Sequence, residues 1–528
     1  MSVAEARWSK EIAVEVVGGI SYKMYVERPR RVEELLGFAG RWGERSYVAQ
    51  GDQALTFAEL RRAIAAKVAE LTQAGIGAGD RVFVLGWNSP EWVVNFWACL
   101  SAGAVPVLAN TWWSSAEIET GMALLSPKLI LADASIAAKM PAGVPCGTWA
   151  VDPNGQGDVD AIAGNGGSEE DTAMIIFTSG TSGVPKAVVL SHRAVLARLH
   201  MTLHVTRKLP HQIDESAHDV TLLTGPLFHV GSMQALLRAV VVGDTIVLSK
   251  GRYDPKDVME LIERHKVNRW NAVPTMVSRL LDHPDVGGRD LSSLRSISIG
   301  GAPVHAELMQ RMRTCLPSVS PRIPTGYGLT ENGGQATAAA GSEDIAKLGS
   351  TGRPLPCVEI SFLEHPGLPD GEILLRSPTQ MSGYFGIDES PIDADGWLHT
   401  GDLGRLDEDG QLWITGRSKE MIIRGGENIA PVAVERALMT VPGVVEAVVF
   451  GIPHADLGEE VMAVVVTEGD LTVDEIRTRL RSTLASFAVP TRWRLQDEPL
   501  PTNHTGKVDK KLVSAAAREE IERASQSV

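Results

Sequence analysis

The chain has 528 residues, enough for at least two globular domains, and its 44% hydrophobic and 22% charged residues supply a large core. Lysine and arginine number 50 against 65 aspartates and glutamates, and the net charge of -15 argues against general nucleic-acid binding while permitting a local basic polyphosphate site. Cys99, Cys146, Cys315 and Cys357 are widely spaced with no CxxC pair, so neither a zinc site nor a disulfide framework is suggested, and a reducing cytoplasmic setting fits best.

The first residues, MSVAEARWSKEIAVEV, carry charges throughout and lack a signal-peptide core. The longest apolar run, Trp97 to Ala109, is broken by Gly103 and Pro106 and is too short to span a bilayer. Taken in chain order, RVFVLGW at 81–87 predicts a buried strand, residues 90–102 a helix, and VPVLAN at 105–110 the next strand. A Gly-rich surface loop is expected over 152–168, ahead of a buried strand at 173–177. The same alternation recurs at VTLLTGPL, DTIVLSK, NRWNAVP and LRSISIGGAPV, an α/β pattern that favours parallel sheets covered by helices. From Glu372 the pattern becomes strand-rich, with turns expected at 401–402 and 409–410. Beyond Arg417 there is room for a small α/β domain, with helices near 431–439 and 473–484 and strands at VVEAVVFGIP and VMAVVVTEG.

Residues 177–192, FTSGTSGVPKAVVLSH, concentrate phosphate-binding chemistry behind the buried strand. Thr178, Ser179, Thr181 and Ser182 offer hydroxyls, Gly180 and Gly183 let backbone N–H groups approach an anion, and Lys186 adds charge. No Gly-Lys-Ser/Thr closes the loop, so it is not a Walker-type motif. A plain Ser/Gly-rich surface turn would explain the composition but not its position after a buried strand.

Four further segments follow: YGLTENGG at 327–334, DGWLHTGDLGRLDEDG at 395–410, ITGRSKEMIIRGGENIAP at 414–431 and LPTNHTGKVDKKL at 500–512. Together the five resemble the adenylate-forming enzymes, and among them most closely the acyl-CoA synthetases of the fatty-acid and aryl-acid type. One departure is Ala187, where relatives usually carry glycine after the loop lysine. A methyl group there would disturb the backbone if the native φ were positive.

The resemblance implies a large N-terminal domain, residues 1–416, with helix-covered parallel sheets plus a distorted barrel, and a small mobile C-terminal α/β domain, 417–528, pivoting at Lys419. It implies that a carboxylic acid attacks ATP to give acyl-AMP, which then transfers its acyl group to coenzyme A. Lys186 and the 178–183 loop would hold the phosphates, with Thr330 beside them and Glu331 as the Mg²⁺ ligand. Tyr327 and Gly328, with Gly301, Ala302 and Pro303 on the other side, would enclose adenine, while Asp402 and Arg417 would bind ribose and phosphate. Lys507 would bridge the attacking carboxylate and the α-phosphate in the first half-reaction. Gly425, Gly426, Glu427 and Asn428 would line the pantetheine tunnel in the second.

Phe228, His229, Gly333 and Gly334 would line the acyl pocket, and the small residues there, Ala336 included, suggest room for a long or bulky acid. PLFHVGSMQ contains no aspartate to pair with an ammonium, so an amino-acid substrate is disfavoured. Each assignment has a structural alternative: Tyr327 as core, Asp402 as a turn aspartate, His229 as a hydrogen-bonded structural histidine. His200 and His204 share a helix face, but no HExxH accompanies them and coincidence is the expectation. Asn503-His504-Thr505 matches a glycosylation acceptor only by chance. The same adenylation residues would serve a ligase that loads a carrier-protein thiol. A non-catalytic acyl-AMP sensor would have no use for Lys507. A homodimer is compatible with the sequence, and no nucleic-acid partner or membrane span is expected.

Overall fold

The computed structural model describes residues 8–141, 146–164, 166–178, 185–300, 304, 306–319, 324–339, 349–364, 370–454, 456–503 and 505–526. Two large mixed sheets dominate the first three quarters of the chain. One runs in the order Gly383–Tyr384, Lys186–Ser191, Thr172–Thr178, Val105–Leu108, Arg81–Leu85, Leu129–Ala132, Cys146–Gly147. The other runs Arg353–Pro354, Gly334–Ala339, Thr325–Leu329, Ser296–Ile299, Arg269–Ala272, Val220–Leu223, Thr245–Leu248, Ser46–Gln50, Gln53–Thr56. Their centres are parallel, as expected where helical crossovers connect successive central strands, and every edge is antiparallel except Cys146–Gly147, which pairs parallel with Leu129–Ala132.

The helix Pro90–Ser101 shows why the sheets join. Ser89 caps it by accepting from the Trp92 N–H at 3.1 Å, Pro90 occupies its first turn, and every residue except Glu91 is buried. A helix apolar on all sides must lie inside, and Trp92, Phe96 and Trp97 fill the largest hydrophobic cluster. Removing one such ring would cost about 3–5 kcal/mol.

The region expected as a barrel contains a four-stranded antiparallel sheet: Glu359–Leu363, Gly371–Arg376, Leu398–Leu406, Leu412–Arg417. Here one expectation is corrected. Residues 401–402 are not a turn but lie inside the strand Leu398–Leu406, where Gly401 adopts φ +71° and the register shifts between Leu403 and Gly404. The turn at 409–410 is present, with Gly410 at φ +73°. After Arg417 a five-stranded sheet forms around Val444–His454 and Gly458–Thr467, with its own core beneath the helices Pro431–Met439 and Val473–Leu480.

Among the described residues no helix is long and apolar enough to cross a membrane. No cluster of three metal-ligating side chains occurs among them. His200 stacks on Tyr25 at 3.7 Å between ring centroids, and His204 Nδ1 lies 2.8 Å from the Tyr25 hydroxyl, so the histidine pair is structural. All four cysteines are free, and burial pushes the thiols of Cys99 and Cys357 up to about 12.

Candidate active site

The phosphate-loop segment begins and ends in one hairpin. Thr178 closes the strand Thr172–Thr178 and Lys186 opens the antiparallel strand beside it, with the two residues paired in register. The intervening Ser179, Gly180, Thr181, Ser182 and Gly183 lie outside the described residues, as do Gly301, Ala302 and Pro303. A segment flanked by two antiparallel neighbouring strands differs from the strand-to-helix connection of a Walker loop, in agreement with the missing Gly-Lys-Ser/Thr. Ala187 is fully buried in regular strand backbone and is not among the residues with positive φ, so its methyl group fits without strain.

Lys186 Nζ stands 4.5 Å from the centre of the Tyr384 ring, and the Tyr384 hydroxyl donates to Glu331 Oε1 at 2.9 Å. Burial, reinforced by the Glu331 charge, raises the Tyr384 phenol far above its ordinary value and keeps it a donor. Tyr384 thus ties a cation to a carboxylate across 198 positions of sequence, Lys186 to Tyr384. Sequence reasoning missed it because Tyr-Phe-Gly after a glycine reads as an ordinary buried aromatic. Glu331 makes no ion pair among the described residues, and a partly exposed carboxylate held by a single phenol is a fitting hard donor for Mg²⁺. Thr330 precedes it in the same single-turn helix, Thr330–Asn332.

Tyr327, Asp402 and Arg417 form a second constellation. The Tyr327 hydroxyl donates to Asp402 Oδ2 at 2.6 Å, and Arg417 Nε donates to Asp402 Oδ1 at 2.6 Å. Asp402 and Arg417 face each other on paired strands, which explains their spacing. Burial, then the Asp402 charge, drives the Tyr327 phenol well above its usual range. Burial works against the Arg417 charge, but Asp402 more than offsets it and raises the guanidinium. Each Asp402 oxygen retains a second acceptor direction. Gly328 sits where the strands approach most closely, since a Cβ there would lie 1.9 Å from the Gly334 carbonyl oxygen.

Lys507 reaches this constellation from the other end of the chain. Its ammonium is held below the usual lysine range by burial and by the Arg417 charge. Asn503 builds the loop: its Oδ1 accepts from the N–H groups of Thr505 at 2.9 Å and Lys507 at 3.2 Å. The apparent glycosylation asparagine is therefore the anchor of the Lys507 turn. The loop docks on the helix Pro274–Leu281, where the Thr275 hydroxyl donates to the Gly506 carbonyl and Arg279 donates to Leu500 O at 3.4 Å. Between these surfaces is a cleft of about 400 Å³ lined by Trp87, Trp112, Arg252, Met276 and Asn503, among others.

Other assignments separate. His229 precedes the helix Val230–Val242 at its N-cap position and its ring lies 4.8 Å from that of Phe228. Gly334 faces Val230, 3.6 Å from where a Cβ would stand, whereas a Cβ on Gly333 would meet Thr379 O at 2.7 Å. Gly333, at φ +61°, permits backbone packing against Thr379. Ala336 is fully buried in the cluster around Leu355 and Ile373. Gly425, Gly426, Glu427 and Asn428 lie on an exposed hairpin, with the Gly425 N–H donating to Leu457 O at 2.8 Å, and are not brought to the Lys507 site. Lys419 is exposed in the short helix Ser418–Glu420.

The arrangement matches a known family. Residues 37–385 match the family model described as AMP-binding enzyme, and residues 433–507 match that of the AMP-binding enzyme C-terminal domain. The chain belongs to the AMP-binding enzyme family. It is 34% identical to a 3-[(3aS,4S,7aS)-7a-methyl-1,5-dioxo-octahydro-1H-inden-4-yl]propanoyl:CoA ligase of Mycobacterium tuberculosis, over 87% of this chain and 93% of that relative. It is also 34% identical to a 2-succinylbenzoate–CoA ligase of Bacillus licheniformis, covering 88% of this chain and 95% of the relative. The o-succinylbenzoate coenzyme A synthetase of Bacillus subtilis in complex with ATP and magnesium ion superposes with a TM-score of 0.76 at 29% identity, covering 91% of this chain and 98% of that one. These relatives are acid–thiol ligases, and this chain is an enzyme of the same adenylate-forming kind.

Proposed function

We propose that the protein is an AMP-forming acyl-CoA synthetase: a carboxylate displaces pyrophosphate from ATP to give acyl-AMP, and the thiol of coenzyme A then displaces AMP. The observation that carries this reading is Lys507, partly buried, within reach of the Arg417 charge and delivered by a loop docked on the large domain. In the first half-reaction two anions must meet. Lys507 and Arg417 offer positive charge where the carboxylate and α-phosphate converge, and Lys186 offers it to the outgoing phosphates. Glu331 would hold Mg²⁺, which when bound would supply positive charge to the phosphates. Tyr384 keeps Glu331 oriented and Lys186 near it. The hydroxyls of Thr178 and Thr330 complete the polar edge.

Lys507 and Arg417 carry like charges that repel, so a bound polyphosphate between them favours the docked arrangement. Once pyrophosphate leaves, part of that attraction is lost, and the domain beyond Arg417 swings about Ser418 and Lys419. The exposed hairpin Gly425–Asn428 would then replace the Lys507 loop at the cleft. The relatives' named acids are ring-bearing, which supports a compact cyclic acid here more than a long flexible chain. Acid-dependent exchange of labelled pyrophosphate into ATP, assayed across fatty, aryl and polycyclic acids, tests the reading. Exchange with one class and CoA-dependent AMP release support it; no exchange with any acid would reject it.

A further inference from the structure

Four arginines of the described residues are nearly inaccessible: Arg28, Arg31, Arg193 and Arg198. Three of them hold carboxylates, Arg28 with Glu15 and Glu169, Arg31 with Glu33 and Asp171, and Arg193 with Glu170. Arg198 is the exception. It is 6% exposed and makes no ion pair among the described residues. Its guanidinium donates only to neutral oxygens, Gln335 Oε1 at 2.6 Å and the Thr202 hydroxyl, and its Nε has no hydrogen-bond partner among the described residues. Burial alone holds it down, at about 10. A buried cation without an anion and a buried N–H without an acceptor are both costly, so such a group is retained where a ligand completes it.

Its position indicates which ligand. Arg198 lies on the face of the helix His192–Val205 that meets the helix Val230–Val242, where Gln234 donates to Val195 O at 3.2 Å. The space a side chain at Gly334 would occupy lies 3.6 Å from Val230 and 3.9 Å from Arg198 Nε. Val230 follows His229, at the start of the same helix. Arg198 therefore stands beside Gly334 and Val230, two positions next to the expected acyl-pocket residues, and bonds Gln335 on the strand paired with Thr325–Leu329.

We infer that Arg198 recognises a second oxygen acceptor on the acid, a carbonyl or carboxylate remote from the carboxyl group that is activated. The inference rests on the acyl-CoA synthetase reading and specifies its substrate class: an oxygenated, bifunctional acid in place of a plain hydrocarbon one. Gln335 fixes the guanidinium plane, and Nε remains to donate. The competing role is a purely structural clasp between helix and strand.

The test is kcat/KM in the CoA-forming reaction for matched acids of one skeleton bearing a distal ketone, a distal carboxylate, or methylene at the same place. The wild-type enzyme is expected to prefer an oxygenated acid by about 30-fold or more, since a buried donor rejects a partner that cannot accept from it. Arg198→Met should shrink that ratio to about threefold or less, and Arg198→Lys should restore part of it toward the carboxylate but not the ketone. A structural clasp would lower turnover of all the acids together and leave the ratio intact. Equal wild-type kcat/KM for the oxygenated and methylene acids overturns the inference even if every variant fails to fold. Turnover of no acid at all would instead overturn the synthetase reading beneath it.

Discussion

Gly506 is the contact through which Lys507 is delivered, and Gly506→Ala isolates that delivery from the chemistry. The glycine adopts φ +80°, and a Cβ there would lie 2.7 Å from Met276 Cε and 3.2 Å from Val273 Cγ2, both on the large domain. Two costs follow. Positive φ strains alanine by about 1–3 kcal/mol wherever the loop keeps its shape. Met276 Cε ends a flexible side chain that can swing aside, so the clash rests mainly on Val273 Cγ2 and adds about 1 kcal/mol, at the low end of overpacking, but only while the loop is docked. The docked state alone should therefore lose about fivefold in population. Acyl-AMP formation in a single-turnover quench should fall by that factor, while thiolysis of supplied acyl-AMP should change less than about twofold. Gly469→Ala is the control: φ is +74° and nothing lies within 4 Å of its Cβ position, so it carries the strain without the clash. Equal loss of both half-reactions, or the same effect from Gly469→Ala, would refute docking at Gly506 as the basis of the first step.

Further outcomes follow from the same geometry. Tyr384→Phe deletes the 2.9 Å bond to Glu331 and keeps the ring beneath Lys186, so kcat/KM for MgATP should fall about tenfold. Tyr384→Leu should fall a further two- to fivefold through the lost cation–π contact; equal values would show that contact to be idle. Burial lowers His192 and His200 from 6.5 to about 3, so both rings are neutral when folded and take up protons on unfolding. Their contribution to stability is complete above pH 6.5 and is lost as pH falls toward 3, at about 1.4 kcal/mol per pH unit for each. His200→Gln should reduce the slope of unfolding free energy between pH 6 and 4 by about 1.4 kcal/mol per unit. An unchanged slope would contradict the buried neutral ring.

The parts of this molecule legible in the sequence are those where chemistry needs particular residues at close spacing. The strand before Thr178, the lysine after the hairpin, and the helices near 431–439 and 473–484 follow from local pattern, and the structure contains Thr172–Thr178, Pro431–Met439 and Val473–Leu480. Asp402 was ambiguous because Thr-Gly-Asp has turn composition; strand pairing with Arg417 overrides that local preference. The strands Thr325–Leu329 and Gly334–Ala339 are glycine- and alanine-rich and carry almost no β signal. They form because Gly328 permits an approach that a side chain would block and Gly334 adopts φ +112°, a conformation other residues rarely reach. Tyr384 and Arg198 were illegible for another reason. Their significance lies in neighbours from distant segments, such as Gln335 beside Arg198, and no periodicity in one sequence brings those together.

The central claim is that one site performs adenylation and thiolation in separate arrangements, with Lys507 serving only the first. The direct measurement is Lys507→Ala with each half-reaction followed alone: acyl-AMP formation from acid and MgATP, and CoA thioester formation from supplied acyl-AMP. Loss of about 100-fold or more in the first, with the second within about threefold of wild type, is the predicted result, since one preorganised charge at the reacting centre contributes on that scale. Parallel loss of both half-reactions would contradict the account.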